Sequence, residues 1–221
     1  MRKLLVFSVV LLFISCKKQD TEIIYGYQYF PNDSGRYVVY DVVDILHDDI
    51  AGVHDTDTYQ IKEVVGEEDI DGEGEAFNKF YRYFRDNDSS EWQLKDTWVL
   101  KKTGKSVELV EENDRVIKMA FSISYDQYWD CNALNNNGSE QCYYADIYMA
   151  KTIGALSYDS TVVVERNDFS SYIDLERSFE VYAANIGKVS SYFKDLEISN
   201  GDTLDVLKGN ELYYTATDFG K

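Results

Sequence analysis

Cys16 is the residue of this 221-residue chain whose neighbours most clearly indicate a covalent modification. It follows the basic pair Arg2-Lys3, an apolar run from Leu4 to Ile14, and Ser15. The run is about half as long as the roughly 20 residues of a membrane-spanning helix, so an export signal explains it better than a transmembrane segment. A small residue before a cysteine at this place is the layout of a bacterial lipoprotein signal. We therefore predict acylation of Cys16; the alternative is an ordinary secretory signal with an incidental cysteine.

Cys131 and Cys142 are the two remaining cysteines. Export would place them in an oxidising compartment, where an even pair of thiols tends to form a disulfide. The segment between them contains Asn137-Gly138, which is typical of a hairpin turn. A metal site is the alternative, but the chain has no CxxC spacing and no histidine nearby. We predict a disulfide between these residues.

His47 and His54, the only histidines of the chain, invite a metal-site interpretation. Imidazole and carboxylate groups together suit zinc or manganese. The alternative is an exposed acidic loop with two solvated imidazoles, which is the commoner structure for such a segment. The neighbouring acidic residues are Asp48, Asp49, Asp55 and Asp57.

Asp69, Asp71 and Glu73 are the nearest candidates for calcium ligands, because their hard oxygen atoms alternate with glycines. The spacing departs from that of an EF-hand, since Phe80 stands where the closing carboxylate belongs. A solvated hairpin turn is the preferred alternative. We predict neither a bound metal nor a cofactor for this chain.

Tyr81, Arg82, Tyr83 and Arg85 alternate aromatic and basic side chains. Tyrosine and arginine are favoured at the energetic centres of protein interfaces, so the segment is a possible contact surface. The alternative is a strand with one face in the core and guanidinium groups stacked over aromatic rings.

The charge balance excludes one class of partner and favours another. Forty acidic residues against 22 basic ones give a net charge of −18, and no basic stripe interrupts the acidic composition. Because affinity for nucleic acid comes mostly from Lys and Arg contacts to phosphates, we predict no nucleic-acid binding. A protein partner should present a basic surface.

Apolar residues recur with a period of two, which is the period of half-buried β-strands. This pattern predicts that Met119 and Val181 point toward the core. It predicts that their neighbours Lys118 and Glu180 face solvent. Tight turns are predicted at positions such as Asn200-Gly201 and Gly209-Asn210. Helices should be few and short, and residues 168–175 are the candidate segment for one helical turn. The predicted fold is mainly β, an antiparallel meander of about 10–12 strands that forms a sandwich or a curled half-barrel.

The sequence also resembles a group of uncharacterised lipoproteins of Bacteroidota. The resemblance implies an outer-membrane lipoprotein with a β-rich body and implies no activity. Lys17-Lys18-Gln19-Asp20 lacks the acidic cluster of surface-exposed lipoproteins, which favours the periplasmic face. The resemblance lies in Tyr29-Phe30-Pro31 with Gly35 and Tyr40, in residues 57–63, in Arg82-Tyr83-Phe84-Arg85 with Trp92 and Trp98, in residues 110–113 and 158–162, and in residues 180–183 with Gly187.

We divide the chain into a signal peptide (1–15), a tether held to the membrane by the N-terminal lipid (16–22) and one β-rich domain (23–221). No motif of a nucleophile elbow, a zinc-protease helix or a phosphate loop occurs. The predicted function is therefore a non-enzymatic binding or structural role at the envelope. The alternatives are a periplasmic carrier or sensor of a hydrophobic ligand and, second, an enzyme that acts on glycans.

Overall fold

The computed structural model describes residues 25–221, so Cys16, the predicted signal peptide and the tether lie outside the described residues. The described chain begins with one 3-10 turn at Tyr27–Tyr29 and continues almost entirely as β-structure. The strands are β1 (Tyr37–Asp48), β2 (Val53–Ile70), β3 (Ala76–Arg85), β4 (Gln93–Lys102), β5 (Ser106–Glu111), β6 (Asp114–Ala120), β7 (Tyr128–Asp130), β8 (Gln141–Ile153), β9 (Leu156–Ser170), β10 (Asp174–Ala183), β11 (Gly187–Ser199) and β12 (Asp202–Gly220).

All twelve strands form one antiparallel sheet in the order β6-β5-β4-β3-β2-β1-β12-β11-β10-β9-β8-β7. A twisted sheet of this width curls, and its two edges approach each other. The amide of Ile117 in β6 donates to the Cys131 carbonyl at 2.9 Å, and the Trp129 indole donates to the Ile117 carbonyl at 3.0 Å. The predicted mainly β fold is confirmed, and the sheet is a nearly closed half-barrel rather than a sandwich.

Two local predictions about the hairpins have different outcomes. Asn200 and Gly201 both have positive φ, 54° and 75°, which suits the tight turn predicted between β11 and β12. The helix expected within 168–175 is wrong: β9 runs to Ser170 and β10 starts at Asp174. The Ser171 hydroxyl accepts hydrogen bonds from the amides of Ile173 and Asp174, so a short polar turn replaces the helix.

Gly209 corrects another turn prediction, because it lies inside β12 opposite His47 rather than in a loop. Its φ is 132°, and an added Cβ would lie 2.1 Å from the Asp195 carbonyl oxygen. A glycine is therefore required at position 209, although no turn lies there. The cause is the close approach of the β11 backbone, and not a change of chain direction.

Aromatic side chains fill the inside of the curled sheet. The segment before β1 folds into one end of it and buries Tyr29 and Phe30. The Tyr29 hydroxyl lies 2.6 Å from the Ser160 hydroxyl, which fixes the segment to β9. Tyr144 and Tyr182 belong to the same cluster and Tyr40 to a second one, and each of these three tyrosines has no more than 1% of its surface exposed.

The β8–β9 hairpin bends over the outer face of β12, where an added Cβ on Gly154 would lie 2.8 Å from Thr215 Cγ2. Because Ile153 and Leu156 of this hairpin pack against a second apolar cluster, part of the sheet is covered on both faces. Val181 is buried, but so is Glu180 on the opposite face of β10. Lys118 is also buried beside Met119, for a different reason: the β5–β6 register shifts there, so Lys118 has no cross-strand partner and the alternation is interrupted. The prediction that Lys118 and Glu180 face solvent is wrong, because they point into the curled sheet.

The half-barrel has two distinct ends. The proximal end carries the start of β1 and the first described residues: Lys102 donates to the Tyr27 carbonyl at 2.9 Å, and the Tyr27 hydroxyl donates to the Gly104 carbonyl at 3.1 Å. The distal end is the opposite one, where the β1–β2, β9–β10 and β11–β12 hairpins turn. Within residues 25–221, no helix has the length and hydropathy of a membrane span.

Candidate functional site

Five charged side chains meet inside the half-barrel, on five different strands, and we call them the interior charge cluster. Four of the five are buried, with 5–7% of their surface exposed, although charged groups seldom lie at such depth. The cluster consists of Glu63, Arg82, Lys118, Glu180 and Lys188.

Glu63 is the centre of one half of the cluster. Lys188 Nζ lies 3.0 Å from its Oε1 atom, and the Tyr40 hydroxyl donates to its Oε2 atom at 3.1 Å. Arg82 approaches the same carboxylate at 3.6 Å and also binds Asp96 at 2.8 Å. Its guanidinium group lies 4.1 Å from the centre of the Trp98 ring. Each charge in this half therefore has an opposite charge beside it.

Glu180 is the centre of the other half. Lys118 Nζ lies 3.1 Å from Glu180 and 2.8 Å from Glu111, while the Tyr182 hydroxyl donates to Glu180 at 2.6 Å. Burial alone would raise the pKa of Glu180, but Lys118 and then Lys188 and Arg166 outweigh it and lower the pKa to about 2.

Glu63 is ionised for the same reason. Burial would raise its pKa, and Lys188 followed by Arg82 holds the pKa below its ordinary value. A glycoside hydrolase needs one carboxylic acid whose pKa is raised so that it can donate a proton. Neither Glu63 nor Glu180 has that property, so this pair does not suit glycan hydrolysis.

A small cavity adjoins the cluster between Phe30, Phe80 and Tyr182, and Lys118 and Lys188 reach its wall. Its volume is about 40 Å³, which is enough for only about three water molecules. Binding sites for drug-sized ligands occupy several hundred cubic ångströms. This cavity therefore does not accommodate a hydrophobic ligand of the size that a carrier would transport.

Sequence reasoning missed the interior charge cluster, although a signal for it exists. Glu63 stands between Ile61 and Val65, and Arg82 stands between Phe80 and Phe84, each in register with buried apolar residues. A charge at an inward position of a period-two pattern indicates a buried ion pair. The partner strand is not encoded in that local pattern.

A second region lies at the distal end and consists of exposed apolar side chains on neighbouring hairpins. Ile50 and Leu204 have 97% and 91% of their surface exposed. Backbone hydrogen bonds hold the three hairpins together: the Asp49 amide donates to the Leu207 carbonyl, and the Gly201 amide donates to the Tyr172 carbonyl, both at 2.8 Å. We define the hairpin-tip surface as Ile50, Tyr172, Ile173, Leu204 and Leu207.

Exposed carboxylates surround the hairpin-tip surface. Asp49 lies 3.8 Å from His54, but six other exposed carboxylates of these hairpins take part in none of the ion pairs of residues 25–221. An apolar patch with an acidic border is suited to a partner that is itself both apolar and basic. The six carboxylates without an ion pair belong to Asp55, Asp57, Asp195, Glu197, Asp202 and Asp205.

The predicted contact segment is divided between two faces of β3. Arg82 lies in the interior charge cluster and is removed from any contact surface by burial. On the outer face, the Tyr81 hydroxyl binds Glu67, and its ring packs near Tyr83. Arg85 stacks on Trp92 at 4.3 Å and binds Gln60 and Asp88.

The acidic turn of Asp69, Asp71 and Glu73 makes contacts of its own. Asp71 Oδ1 accepts the amides of Glu73 and Glu75, both at 2.9 Å, and these hydrogen bonds lower the pKa of Asp71. Within residues 25–221 the structure assembles no group of three or more His, Cys, Asp or Glu side chains that could hold a metal ion.

Cys131 and Cys142 form a disulfide, with their Cα atoms 5.9 Å apart. Both are buried in the core beside Trp129 and Tyr144. Because Cys131 also accepts the Ile117 amide, the bridge ties β8 to the seam where the two edges of the sheet meet.

The sequence matches no protein-family model and no curated protein. The fold is similar to the crystal structure of a predicted exported protein with a YmcC-like fold from Bacteroides fragilis, with a TM-score of 0.50, 13% identity and coverage of 87% of this chain and 98% of that chain. A predicted lipoprotein from Parabacteroides distasonis gives a TM-score of 0.45 at 11% identity, with the same coverage.

Proposed function

We propose that the protein is a lipid-anchored envelope protein whose β domain binds a basic protein partner through the hairpin-tip surface, without catalysing a reaction. The exported character of the similar Bacteroides fragilis protein and the sequence features around Cys16 support the envelope location. The proposal places the anchor at the outer membrane, on the periplasmic face.

The observation that carries this proposal is the position of the hairpin-tip surface relative to the start of the domain. The chain enters the domain at the proximal end, where Tyr27 contacts Lys102 and Gly104. The exposed apolar side chains of Ile50 and Leu204 lie at the distal end. A lipid on Cys16 would thus hold the proximal end toward the membrane and leave the distal end free for a partner.

The chemistry of the surface selects the class of partner. Burial of apolar side chains such as Ile50 and Leu204 supplies binding free energy, at about 25 cal/mol per Å² of apolar surface. The carboxylates at its border, including Asp202 and Asp205, disfavour an acidic partner and attract a basic one. Association should therefore slow as salt screens the long-range field.

Photo-crosslinking in the native cell tests this surface. A photoreactive amino acid at position 204 should capture a basic protein, and the yield should fall when Ile50 is changed to Ser. The matched control is position 70 at the proximal end, because Ile70 is also an exposed aliphatic residue, with 60% of its surface accessible. Equal capture at both positions, or capture of a second copy of this chain, would refute the proposed partner.

The anchor is tested separately. Cys16→Ala should leave the protein unacylated and move it from the detergent phase to the aqueous phase, because acyl chains supply about 0.8 kcal/mol per buried methylene. Unchanged partitioning of this variant would show that Cys16 carries no lipid. Partner capture by detergent-solubilised wild type does not depend on this result.

A further inference from the structure

His47 and His54 are brought together by the register of the first hairpin. They are direct cross-strand partners in β1 and β2. Their Nδ1 atoms lie 3.3 Å apart, and their ring centres are separated by 5.6 Å. The chain contains no other histidine, so the hairpin gathers both imidazoles at one point near the distal end.

Glu211 fixes the orientation of the first ring. His47 Nε2 lies 2.9 Å from Glu211 Oε1, and the side chains of His47 and Glu211 are only 16% and 9% exposed. Lys194 holds the same carboxylate at 2.7 Å, and the Tyr213 hydroxyl donates to it. Because an ionised carboxylate only accepts hydrogen bonds, the hydrogen of neutral His47 resides on Nε2, and the Nδ1 lone pair faces His54.

We propose that His47 and His54 bind Zn²⁺ through their two Nδ1 atoms. Zinc–imidazole bonds of about 2.0–2.1 Å with a tetrahedral angle place two ligand nitrogens about 3.3 Å apart, which is the separation seen here. A square-planar ion would require the nitrogens to be closer, at about 2.9 Å. The spacing of the pair therefore suits tetrahedral zinc.

Binding requires one change of tautomer. With His47 Nδ1 as acceptor, the hydrogen between the rings belongs to His54 Nδ1. On binding zinc, this hydrogen leaves Nδ1, and His54 carries its hydrogen on Nε2, which lies 3.8 Å from Asp49 Oδ1. The His54 side chain is 51% exposed, so water completes the two remaining positions of the metal.

The structure distinguishes the two groups of residues that the sequence raised as metal candidates. The carboxylates of Asp69 and Asp71 are engaged in their own turn, whereas the two imidazole nitrogens face each other with a carboxylate behind the first. Two protein ligands make an open site, in contrast to the closed four-ligand sites that zinc uses structurally. The proposed zinc site depends on the geometry of His47, His54 and Glu211, and it does not depend on the proposed partner.

Zinc titration of the full chain, purified in detergent without a polyhistidine tag, tests the site. Calorimetry with ZnCl₂ should show one saturable site per chain. His47→Ala and His54→Ala should each weaken it at least tenfold, and Glu211→Gln should weaken it by about tenfold through loss of ring orientation. Asp71→Asn is the control and should leave the affinity unchanged.

A second measurement reports the atoms involved. Since the chain has only two imidazoles, ¹⁵N NMR of the rings should show zinc-dependent shifts at Nδ1 of both residues, with hydrogen retained at both Nε2 atoms. Binding that survives both histidine substitutions, coordination through Nε2, or no saturable binding by the folded wild type would overturn the proposal.

Discussion

The interior charge cluster and the hairpin-tip surface use charge in opposite ways. Inside the half-barrel, Glu63 is 5% exposed and lies within 3.0 Å of Lys188. At the distal end, Asp202 and Asp205 are exposed beside Leu204, which is 91% exposed. Buried charges must be paired because desolvation is costly, whereas exposed charges can remain available to a partner. The difference separates the part of the molecule that maintains the fold from the part suited to recognition.

The largest expected effect comes from breaking the cluster. Glu63→Gln leaves Lys188 and part of the Arg82 charge without their carboxylate, so the free energy of unfolding should fall by about 3–5 kcal/mol. Urea denaturation of the full chain in detergent measures this change. The matched surface variant, Asp205→Asn, should stay within about 0.5 kcal/mol of wild type. Similar losses for both variants would contradict the distinction between the two regions.

Acid should destabilise the protein through the same cluster. The pKa of Glu180 falls from its ordinary value of 4.5 to about 2 on folding. A lowered pKa in the folded state stabilises above the unfolded pKa, and this contribution is lost as pH falls from about 5 to about 2. The loss amounts to roughly 3 kcal/mol at this shift. Glu180→Gln should flatten that part of the stability–pH curve, while an unchanged slope would show that Glu180 is not ionised in the fold.

The backbone of the distal hairpins should be less tolerant than their side chains. Gly209→Ala would bring a Cβ to 2.1 Å from the Asp195 oxygen and 2.8 Å from Leu196 Cα, which are backbone atoms of β11. We expect a loss of about 2 kcal/mol or more, because φ of 132° is also unfavourable for alanine. Thermal unfolding of Gly209→Ala beside Gly72→Ala tests this, since an added Cβ on Gly72 has open space around it. Equal stability of the two variants would argue against close β11–β12 packing.

The smallest change in stability is expected on the hairpin-tip surface. Leu204→Ser removes an apolar side chain that is almost fully exposed, so the free energy of unfolding should change by no more than about 0.5 kcal/mol. The same variant should lose capture of the basic partner. A large loss of stability would instead identify Leu204 as part of the packed structure.

Local sequence patterns predicted the secondary structure well, since side chains in a strand alternate between two faces. The period of two indicated a β meander, and Asn200-Gly201 indicated a hairpin turn that the structure contains. The pattern failed at Lys118 and Glu180, where it assigned the charged face to solvent. At Lys118 a shift in the β5–β6 register interrupts the alternation, and at Glu180 the alternation does not show that both faces of the strand are covered.

The sequence by itself determined the mainly β meander and the tight turn at Asn200-Gly201, because both follow from interactions between near neighbours. Only the tertiary structure decided that β1 pairs with β12, that the sheet curls, and that Lys188 reaches Glu63 across 125 residues of sequence. It also decided that Glu211 lies behind His47, from 164 residues away. Such contacts depend on the closure of the whole sheet, and no local periodicity specifies which distant strand supplies the opposite charge.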